Sequence, residues 1–544
     1  MDRRSFIKSC IASGIAVASP AIVHPSSSEE NRYNLLVITS DEHNQNMAGY
    51  LGHPIIKTPN LDKLAAEGTV FRHAYCACPV CTPSRASFIT GKYVHQHHTW
   101  MNSVPTSPDE MTWPRRLTQA GYDTAAYGKM DLSGKYQNPG FSDFITFYRR
   151  AAFEPYPFDS PYDARLTGYV RSDKRRHISE AGSNRQAMDM LIREYGYNKL
   201  LFREENYKLL GFCQHDQEVT ELGLHFLRKQ RRIQLGKPWA LYLGYIQPHW
   251  PYKVPDEYFQ LYYPDRIKWP HDFCIPNTNL HPELEHFQKA LGIEGMPDDA
   301  IRRTIAAYYG MITCLDDYIG IIIKDLKERG MYDNTYIIYT SDHGESLGEH
   351  GLFYKQCSYE GSVGVPLIIR GPGIPAGKQI DHPVSLIDEY ATIMEMAGLL
   401  TESDKPGHSW LPMIRNDFEG YPEYVLSEFH GNFLRQSWYM LRRGNFKYTY
   451  YSNRIQPSLF NVDVDPLEMN DLAGEKRYEP VLKEFKDLLY SILDPEAVAL
   501  QSKSDFGLIG PDSEDYTVTL TYQQLQNGRH SGKYKPRYRL GFKS

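Results

Sequence analysis

Cysteine is scarce in this sequence of 544 residues, which contains 8 of them. A secreted chain held together by disulfide bonds has a far higher cysteine density, so a disulfide scaffold is excluded. An excess of basic charge is also missing: 60 Lys and Arg stand against 66 Asp and Glu, for a net charge of −6. This balance argues against nucleic acid as a partner, because nucleic-acid binding through general charge needs a basic surface.

Long hydrophobic runs and internal repeats are missing as well, and we expect no transmembrane segment. The first thirty residues combine Arg3 and Arg4 with a weakly apolar stretch from Cys10 to about Val23. This pattern predicts an export signal over 1–30, of the twin-arginine type, which carries folded proteins. A general secretory signal is the alternative. Either signal predicts a periplasmic or extracellular protein. Removal of Cys10 leaves seven cysteines, an odd number that predicts at least one thiol with another role.

Short apolar segments alternate with helical patterns along the chain. Strands are predicted over 35–40, 123–128, 238–246, 335–340 and 365–371, and a long helix over about 299–329. Such alternation predicts an α/β fold with a large, mostly parallel central sheet flanked by helices. We assign the catalytic domain to 31–405. Short antiparallel strands and a helix then predict a smaller C-terminal α+β subdomain over 406–544, which ends in a basic tail from Asn527.

Residues 141–235 interrupt this alternation of strands and helices with an insertion rich in aromatic and basic side chains. We expect the insertion to lie at the active edge of the sheet. Packing of a lid is the alternative explanation for both its aromatic and its basic residues. Four cations in it are candidates for binding substrate: Arg171, Lys174, Arg175 and Arg176.

Two predicted strands end in acidic clusters. Asp41 and Glu42 follow the first, and Asp342 and His343 follow a later one. Since sites in parallel sheets lie at the carboxyl ends of strands, these side chains are expected to converge. Oxygen-rich ligands favour Ca²⁺ or Mg²⁺.

The segment CTPSRASFITG, residues 81–91, predicts a helix that begins beside Cys81 and ends at Gly91. The free N–H groups and positive dipole at such a helix start suit an oxyanion, which Arg85 would also hold. A metal ion beside this helix end suits the hydrolysis of a phosphate or sulfate ester.

The same segment resembles the C-x-P-S-R-x-S-x-x-T-G motif of type I sulfatases, in the alkaline phosphatase superfamily. Similarity to this family covers nearly the whole mature chain. It includes, in order, LLVITSDE, TPNLDKLAAEGTVFRHAY, GYDTAAYGK, QPHWPY, DNTYIIYTSDHGESLGEHGLFYK, VPLIIRGPG and LFNVDVDPLEMNDLA. The resemblance implies a sulfatase fold and activity.

The resemblance also implies roles for individual residues. Cys81 would be oxidised by a maturation enzyme to Cα-formylglycine, whose hydrate attacks the sulfur atom and later releases sulfate as the aldehyde re-forms. Ca²⁺, with Mg²⁺ as the alternative, would be bound by residue 81 together with Asp41, Asp342 and His343. The positions that contact the sulfate or the leaving oxygen are Lys129, His249 and Lys355, with His249 as the general acid.

Two positions depart from the family pattern. Glu42 stands where many relatives have a second aspartate, so it is either a further metal ligand or a neighbour of the site. Asp131 replaces the histidine of the family's GK-x-H motif. Asp131 would still be a base, with a different pH dependence.

Three functions follow from these patterns. The first is an exported sulfatase acting on a sulfated carbohydrate. The second is a phosphonate or phosphate diester hydrolase, or a choline-sulfatase-like enzyme, of the same superfamily. The third is a catalytically idle glycan-binding protein. In the YCACPVC segment, Cys76 and Cys78 are interpreted as buried thiols or as partners of distant cysteines rather than as a metal–thiolate cluster, since no matching CxxC pair exists elsewhere. His350, His430 and the HQHH run at 95–98 are interpreted as surface or satisfied histidines.

Overall fold

A computed structural model gives the structure of the protein over the following residues: 32–102, 104–132, 137–146, 211–233, 237–250, 252–267, 280–291, 298–430 and 436–505. Three predicted features lie outside these residues. They are the export signal over 1–30, the four insertion cations (Arg171, Lys174, Arg175 and Arg176) and the basic tail from Asn527.

The described residues form a large sheet of nine strands in the order β4-β3-β5-β1-β6-β7-β2-β8, with β9 also beside β2. All pairings are parallel except those of β7 with β6 and β2. The mostly parallel sheet predicted from the sequence is therefore confirmed. The strands are β1 (Asn34–Ser40), β2 (Thr69–Tyr75), β3 (Asp123–Gly128), β4 (Asp143–Ile145), β5 (Trp239–Gly244), β6 (Thr335–Ser341), β7 (Gly364–Arg370), β8 (Lys378–Ile380) and β9 (Val384–Ser385).

Strand β1 is buried along its whole length, and its side chains divide between two cores. Leu35 and Val37 join one core, while Leu36 and Ile38 join the other. This alternation follows from the two-residue period of a strand covered on both faces. Helices therefore cover both sides of the sheet, as predicted.

Thirteen helices occur in the described residues: α1 (Pro59–Ala66), α2 (Cys81–Thr90), α3 (Val94–His97), α4 (Trp113–Gln119), α5 (Gly211–Ile233), α6 (Asp256–Phe259), α7 (Pro282–Leu291), α8 (Asp298–Glu328), α9 (Glu360–Val363), α10 (Asp388–Met396), α11 (Leu411–Ile414), α12 (Glu479–Ile492) and α13 (Pro495–Asp505). The long helix α8 matches the prediction of 299–329. Among the described residues α8 alone has the length and composition of a membrane span, and 78% of its apolar window is buried. Leu315, Ile319 and Ile322 contribute to the second core, as in a core helix of a globular protein.

A second, antiparallel sheet follows, with the order β10-β11-β12-β13. Its strands are β10 (Tyr424–Phe429), β11 (Trp438–Arg443), β12 (Phe446–Tyr451) and β13 (Ile455–Asn461). Leu441 and Tyr448 pack with Phe485 and Leu489 of α12 in a separate core. The smaller antiparallel C-terminal sheet is confirmed. The domain boundary at residue 405 stays a prediction.

Candidate active site

The carboxyl ends of β1 and β6 bring two acidic clusters together. These strands are neighbours, and Ser40 lies opposite Ser341 in their register. The residues that follow are therefore adjacent, and the Glu42 backbone N–H donates to Asp342 Oδ1 at 3.3 Å. Asp41 and Asp342 are completely buried. Burying two carboxylates side by side is costly unless cations neutralise them.

Helix α2 places Cys81 against these carboxylates, because Cys81 is its first residue. The Cys81 thiol lies 3.3 Å from His343 Nε2 and donates to Asp41 Oδ1 at 3.7 Å. At the other end, Gly91 has φ 68° and closes the helix. This left-handed conformation favours glycine.

These side chains fit a metal ion. Ligand atoms of Asp41, Cys81, Asp342 and His343 all lie within 4.8 Å of one another, and all four residues are buried. A second overlapping group consists of Asp41, Glu42 and His249. Two carboxylates and one imidazole form a donor set that suits a divalent cation.

Arg85 lies one turn into α2 and is fully buried. Its Nε donates to Asp342 Oδ2 at 2.8 Å, and its Nη1 donates to Lys129 O at 2.8 Å and to Tyr242 Oη at 3.0 Å. Its Nη2 is buried and makes no hydrogen bond to the described residues. Nη2 lies 3.9 Å from Asp41 Oδ2. Since a buried N–H donor without an acceptor is costly, this group is well placed to meet an anionic ligand.

Lys129 and Asp131 follow strand β3, which lies on the far side of β5 from β1. Lys129 forms an ion pair with Asp41 and lies 3.7 Å from Asp131 Oδ2. Gly128 turns the chain here with φ 93°, and a Cβ atom at this position would meet Gly244 O at 2.2 Å. Only glycine fits this close approach of two strand ends. Asp131 itself is buried, with φ 54°.

A second polar cluster at the site consists of His249, Lys355 and Glu42. Lys355 pairs with the Glu42 carboxylate, and its Nζ lies 3.4 Å from His249 Nε2. His249 Nε2 lies 3.4 Å from Glu42 Oε1. The other ring nitrogen, Nδ1, contacts the carbonyl oxygen of Trp250. Since a carbonyl only accepts, Nδ1 carries the proton, and Nε2 of the neutral ring is left to accept from Lys355.

Burial shifts the proton affinities of these groups. It lowers the pKa of His249 to about 3 and that of Lys355 to about 7. Burial, with help from the Asp41 carboxylate, raises the pKa of the Cys81 thiol. Burial alone would also raise the pKa of Asp41, but Lys129, His249 and Arg85 outweigh it and hold that pKa well below its usual value. An unmodified Cys81 is thus a neutral thiol, which is a poor nucleophile.

Ten predicted site residues therefore meet at one edge of the sheet, all of them buried. They are Asp41, Glu42, Cys81, Arg85, Lys129, Asp131, His249, Asp342, His343 and Lys355. The family models agree with this geometry: the model described as Sulfatase matches residues 33–399. The chain belongs to the sulfatase family. A second model, described as N-sulphoglucosamine sulphohydrolase, C-terminal, matches residues 348–494.

Known sulfatases are similar over most of the chain. Arylsulfatase K of Bos taurus is 30% identical over 485 residues, covering 85% of this chain and 82% of that protein. The choline-sulfatase of Rhizobium meliloti (strain 1021) is 30% identical over 478 residues, covering 85% and 87%. The chain is therefore a sulfuric ester hydrolase of this family.

Solved structures share the fold at lower sequence identity. The phosphonate monoester hydrolase of Agrobacterium radiobacter superposes with a TM-score of 0.64 at 22% identity, covering 87% of this chain and 96% of that one. BT4656, solved in complex with its substrate D-glucosamine-2-N,6-O-disulfate, gives a TM-score of 0.62 at 21% identity, with 89% and 100% covered.

Sequence reasoning missed three residues of this sulfatase site. Tyr242 binds Arg85, Asn102 Oδ1 accepts from the Thr82 backbone N–H at 2.8 Å, and Ser84 Oγ donates to Asp342 O at 2.5 Å. Tyr242 gave no sequence signal because it stands inside an apolar strand. Ser84 belongs to the CTPSRASFITG motif, but the motif does not indicate that Ser84 bonds to Asp342.

The remaining cysteine and histidine interpretations can be compared with the structure. Cys76 and Cys78 are buried and free. His430 and His95 both bind Glu428, at 3.0 and 2.9 Å. His97 contacts Ser87 Oγ at 2.9 Å, and His350 stacks on Tyr359. These described histidines are satisfied by neighbours outside the ten-residue site.

Proposed function

We propose that this protein is an exported sulfatase that hydrolyses sulfate esters on a sulfated carbohydrate. Its nucleophile would be a formylglycine made from Cys81 by a maturation enzyme, and its metal ion would be Ca²⁺, with Mg²⁺ as the alternative. One observation carries this proposal. Cys81 is the first residue of α2, and its thiol lies 3.3 Å from His343 and 3.7 Å from Asp41. A neutral thiol is a poor nucleophile, and the adjacent buried carboxylates need a cation to neutralise them.

A formylglycine hydrate would supply a hydroxyl nucleophile at position 81, and a divalent cation would supply positive charge beside the sulfate oxygens. The chain's own residues account for the remaining steps. Asp41, Asp342 and His343 would bind the cation. Arg85 Nη2, which has no acceptor among the described residues, would donate to a sulfate oxygen or to the oxygen at residue 81. Lys129, paired with Asp41, would hold a second sulfate oxygen.

Protonation of the leaving oxygen falls to Lys355 and His249. The family resemblance implies His249 as the general acid, but its Nδ1–H is held by the Trp250 carbonyl and its Nε2 faces Lys355. A neutral ring in this tautomer has no proton to give from Nε2. Lys355 would therefore donate the proton directly to the leaving oxygen. Asp131, 3.7 Å from Lys129, would accept the proton from residue 81 when sulfate leaves.

Several observations support a carbohydrate substrate. BT4656 acts on a disulfated glucosamine, and BT1596 is described as a 2-O GAG sulfatase. The second family model is that of an N-sulphoglucosamine sulphohydrolase. An export signal would bring the enzyme to polysaccharides outside the cytoplasm, and the insertion cations would bind neighbouring sulfate or carboxylate groups.

Two comparisons favour a second candidate function. The choline-sulfatase is as similar in sequence as arylsulfatase K, and a phosphonate monoester hydrolase shares the fold. A small sulfate ester or a phosphonate monoester is therefore the competing substrate. A catalytically idle binding protein would retain the buried cluster but turn over none of these compounds.

Mass spectrometry and matched kinetics test the proposal. The tryptic peptide containing residue 81 should carry an aldehyde or its hydrate in fully active enzyme, and Cys81→Ala should abolish turnover without lowering the unfolding temperature. Rates would be compared on a sulfated oligosaccharide, choline sulfate, 4-nitrophenyl sulfate and a 4-nitrophenyl phosphonate. Intact cysteine in fully active enzyme would refute the nucleophile. A far faster rate on choline sulfate or on the phosphonate would refute the substrate.

A further inference from the structure

Two buried thiols contact the side chain of Gln247, close to the active site. Cys213 lies at the start of α5, and Cys314 lies in the middle of α8. Gln247 Nε2 donates to the Cys213 sulfur at 3.6 Å and to the Cys314 sulfur at 3.8 Å. The Cys213 thiol also donates to the Lys253 carbonyl oxygen at 3.7 Å. The two thiols thus belong to different helices, and a single amide nitrogen lies within 3.8 Å of both sulfur atoms.

The backbones of the two helices approach closely at this point. Tyr318, one turn after Cys314, donates its hydroxyl to the Cys213 carbonyl at 3.3 Å. Further along, a Cβ atom on Gly223 of α5 would lie 3.2 Å from Ile322 of α8. Cys213 is 6% exposed and Cys314 is 2% exposed. The pair is therefore held in place by packing rather than lying on a surface loop.

The thiol pair also supports the segment that carries His249. The side-chain amide of Gln247 donates to both sulfur atoms, and its backbone carbonyl accepts a hydrogen bond from the Asp41 backbone N–H at 3.3 Å. Asp216, one turn after Cys213, accepts from the backbone N–H groups of Ile246 and Gln247 at 2.9 Å each. Residues of α5 thus hold the backbone of Ile246 and Gln247, which leads to His249 in the active site.

We propose that Cys213 and Cys314 are a disulfide-forming pair that links α5 to α8 beneath Gln247. In this step the two thiols lose two protons and two electrons and one S–S bond forms. The oxidant is a disulfide compound, such as oxidised glutathione, whose own S–S bond is reduced to two thiols. The link closes a loop of about one hundred residues, for which the entropic stabilisation of a disulfide is near its upper range.

Peptide mapping of the full-length, matured protein tests the pair. The protein is incubated with a mixture of oxidised and reduced glutathione, alkylated and digested without reduction. We expect Cys213 and Cys314 in one linked peptide, and a Tm higher by about 2 °C or more that dithiothreitol reverses. Cys213→Ser and Cys314→Ser should each abolish the linked peptide and the redox-dependent Tm shift. Cys357→Ser, a matched change at another buried cysteine, should retain both.

A second sample in sub-denaturing urea removes slow access as an explanation, because partial unfolding exposes buried groups before the whole protein unfolds. If both samples yield separately alkylated Cys213 and Cys314, the sulfurs do not meet and the proposal is wrong. A linked peptide that joins either residue to a different cysteine would refute it equally. The test is independent of the substrate, since neither thiol belongs to the ten-residue site.

Discussion

Replacing Lys355 with methionine tests which group protonates the leaving oxygen. Lys355 is buried, pairs with Glu42 and lies 3.4 Å from the unprotonated Nε2 of His249. If Lys355 is the proton donor, its removal should lower kcat/KM for an unactivated sugar or alkyl sulfate by about 10²- to 10⁴-fold, the usual contribution of a general acid. That loss equals about 3–5 kcal/mol in the barrier.

Comparing substrates with different leaving groups shows whether Lys355 acts as a proton donor. A 4-nitrophenolate ion is stable without protonation, so Lys355→Met should lower the rate on 4-nitrophenyl sulfate far less than the rate on a sugar sulfate. Burial lowers the pKa of Lys355 to about 7, so its protonated, donating form disappears as the pH rises through about 7. We therefore expect the wild-type rate on sugar sulfates to fall above that pH. The rate on 4-nitrophenyl sulfate should fall less.

Stability has to be separated from chemistry in this experiment. Breaking one side of a buried ion pair costs about 3–5 kcal/mol of folding free energy, because Glu42 would be left buried with its charge unpaired. The double variant Lys355→Met, Glu42→Gln should recover most of that stability without recovering sugar-sulfate turnover. Lys92→Met, which removes an ion-paired lysine elsewhere, is the control. Equal losses on both substrates would show that Lys355 is not the proton donor, and His249→Gln would then be expected to show the leaving-group difference instead.

Three further predictions concern the metal, the base and the insertion. Asp342→Ala or chelation should abolish turnover and reduce bound calcium, counted by elemental analysis, from one ion per chain to none; activity that depends on tightly bound zinc would contradict this. Asp131→Asn removes the base but keeps a residue type that tolerates φ 54°. We expect kcat to fall by about 10²-fold or more on every substrate. An unchanged kcat would show that another group accepts the proton from residue 81. Neutralising all four insertion cations should raise KM for sulfated oligosaccharides and weaken its salt dependence, leaving 4-nitrophenyl sulfate nearly unaffected; equal losses on both would make the insertion structural. The four are Arg171, Lys174, Arg175 and Arg176.

The sequence predicted the central elements closely because their signals are local. The strand predicted over 123–128 is Asp123–Gly128, and that predicted over 335–340 is Thr335–Ser341. Each is a buried apolar run that ends at glycine or at polar residues. Convergence of Asp41 with Asp342 followed from one rule, that parallel strands end at the same edge. The positions of Lys129, His249 and Lys355 came from family resemblance, since nothing in their local sequence specifies a shared site.

Side-chain contacts across long sequence distances could not be predicted in the same way. Glu428 joins His95 to His430 across more than 300 residues, and Arg85 meets Tyr242 across 157. The state of His249 depends on a single carbonyl, that of Trp250, which fixes the proton on Nδ1. Such details arise from packing of the completed fold. No periodicity or motif encodes them.

The charges gathered at the site limit the substrates it suits. Four buried carboxylates, those of Asp41, Glu42, Asp131 and Asp342, face three cations, Arg85, Lys129 and Lys355. With all seven groups ionised the site carries one net negative charge, which would repel any anionic substrate in a low-dielectric interior. A divalent cation changes this balance to one net positive charge, which a singly charged ester neutralises. Sulfate monoesters and phosphonate monoesters carry one negative charge, whereas a phosphate monoester at neutral pH carries nearly two. Discrimination against phosphate monoesters should therefore be strong. Separating sulfate from phosphonate has to depend on the contacts of Arg85, Lys129 and Lys355 with the oxygens of the transition state.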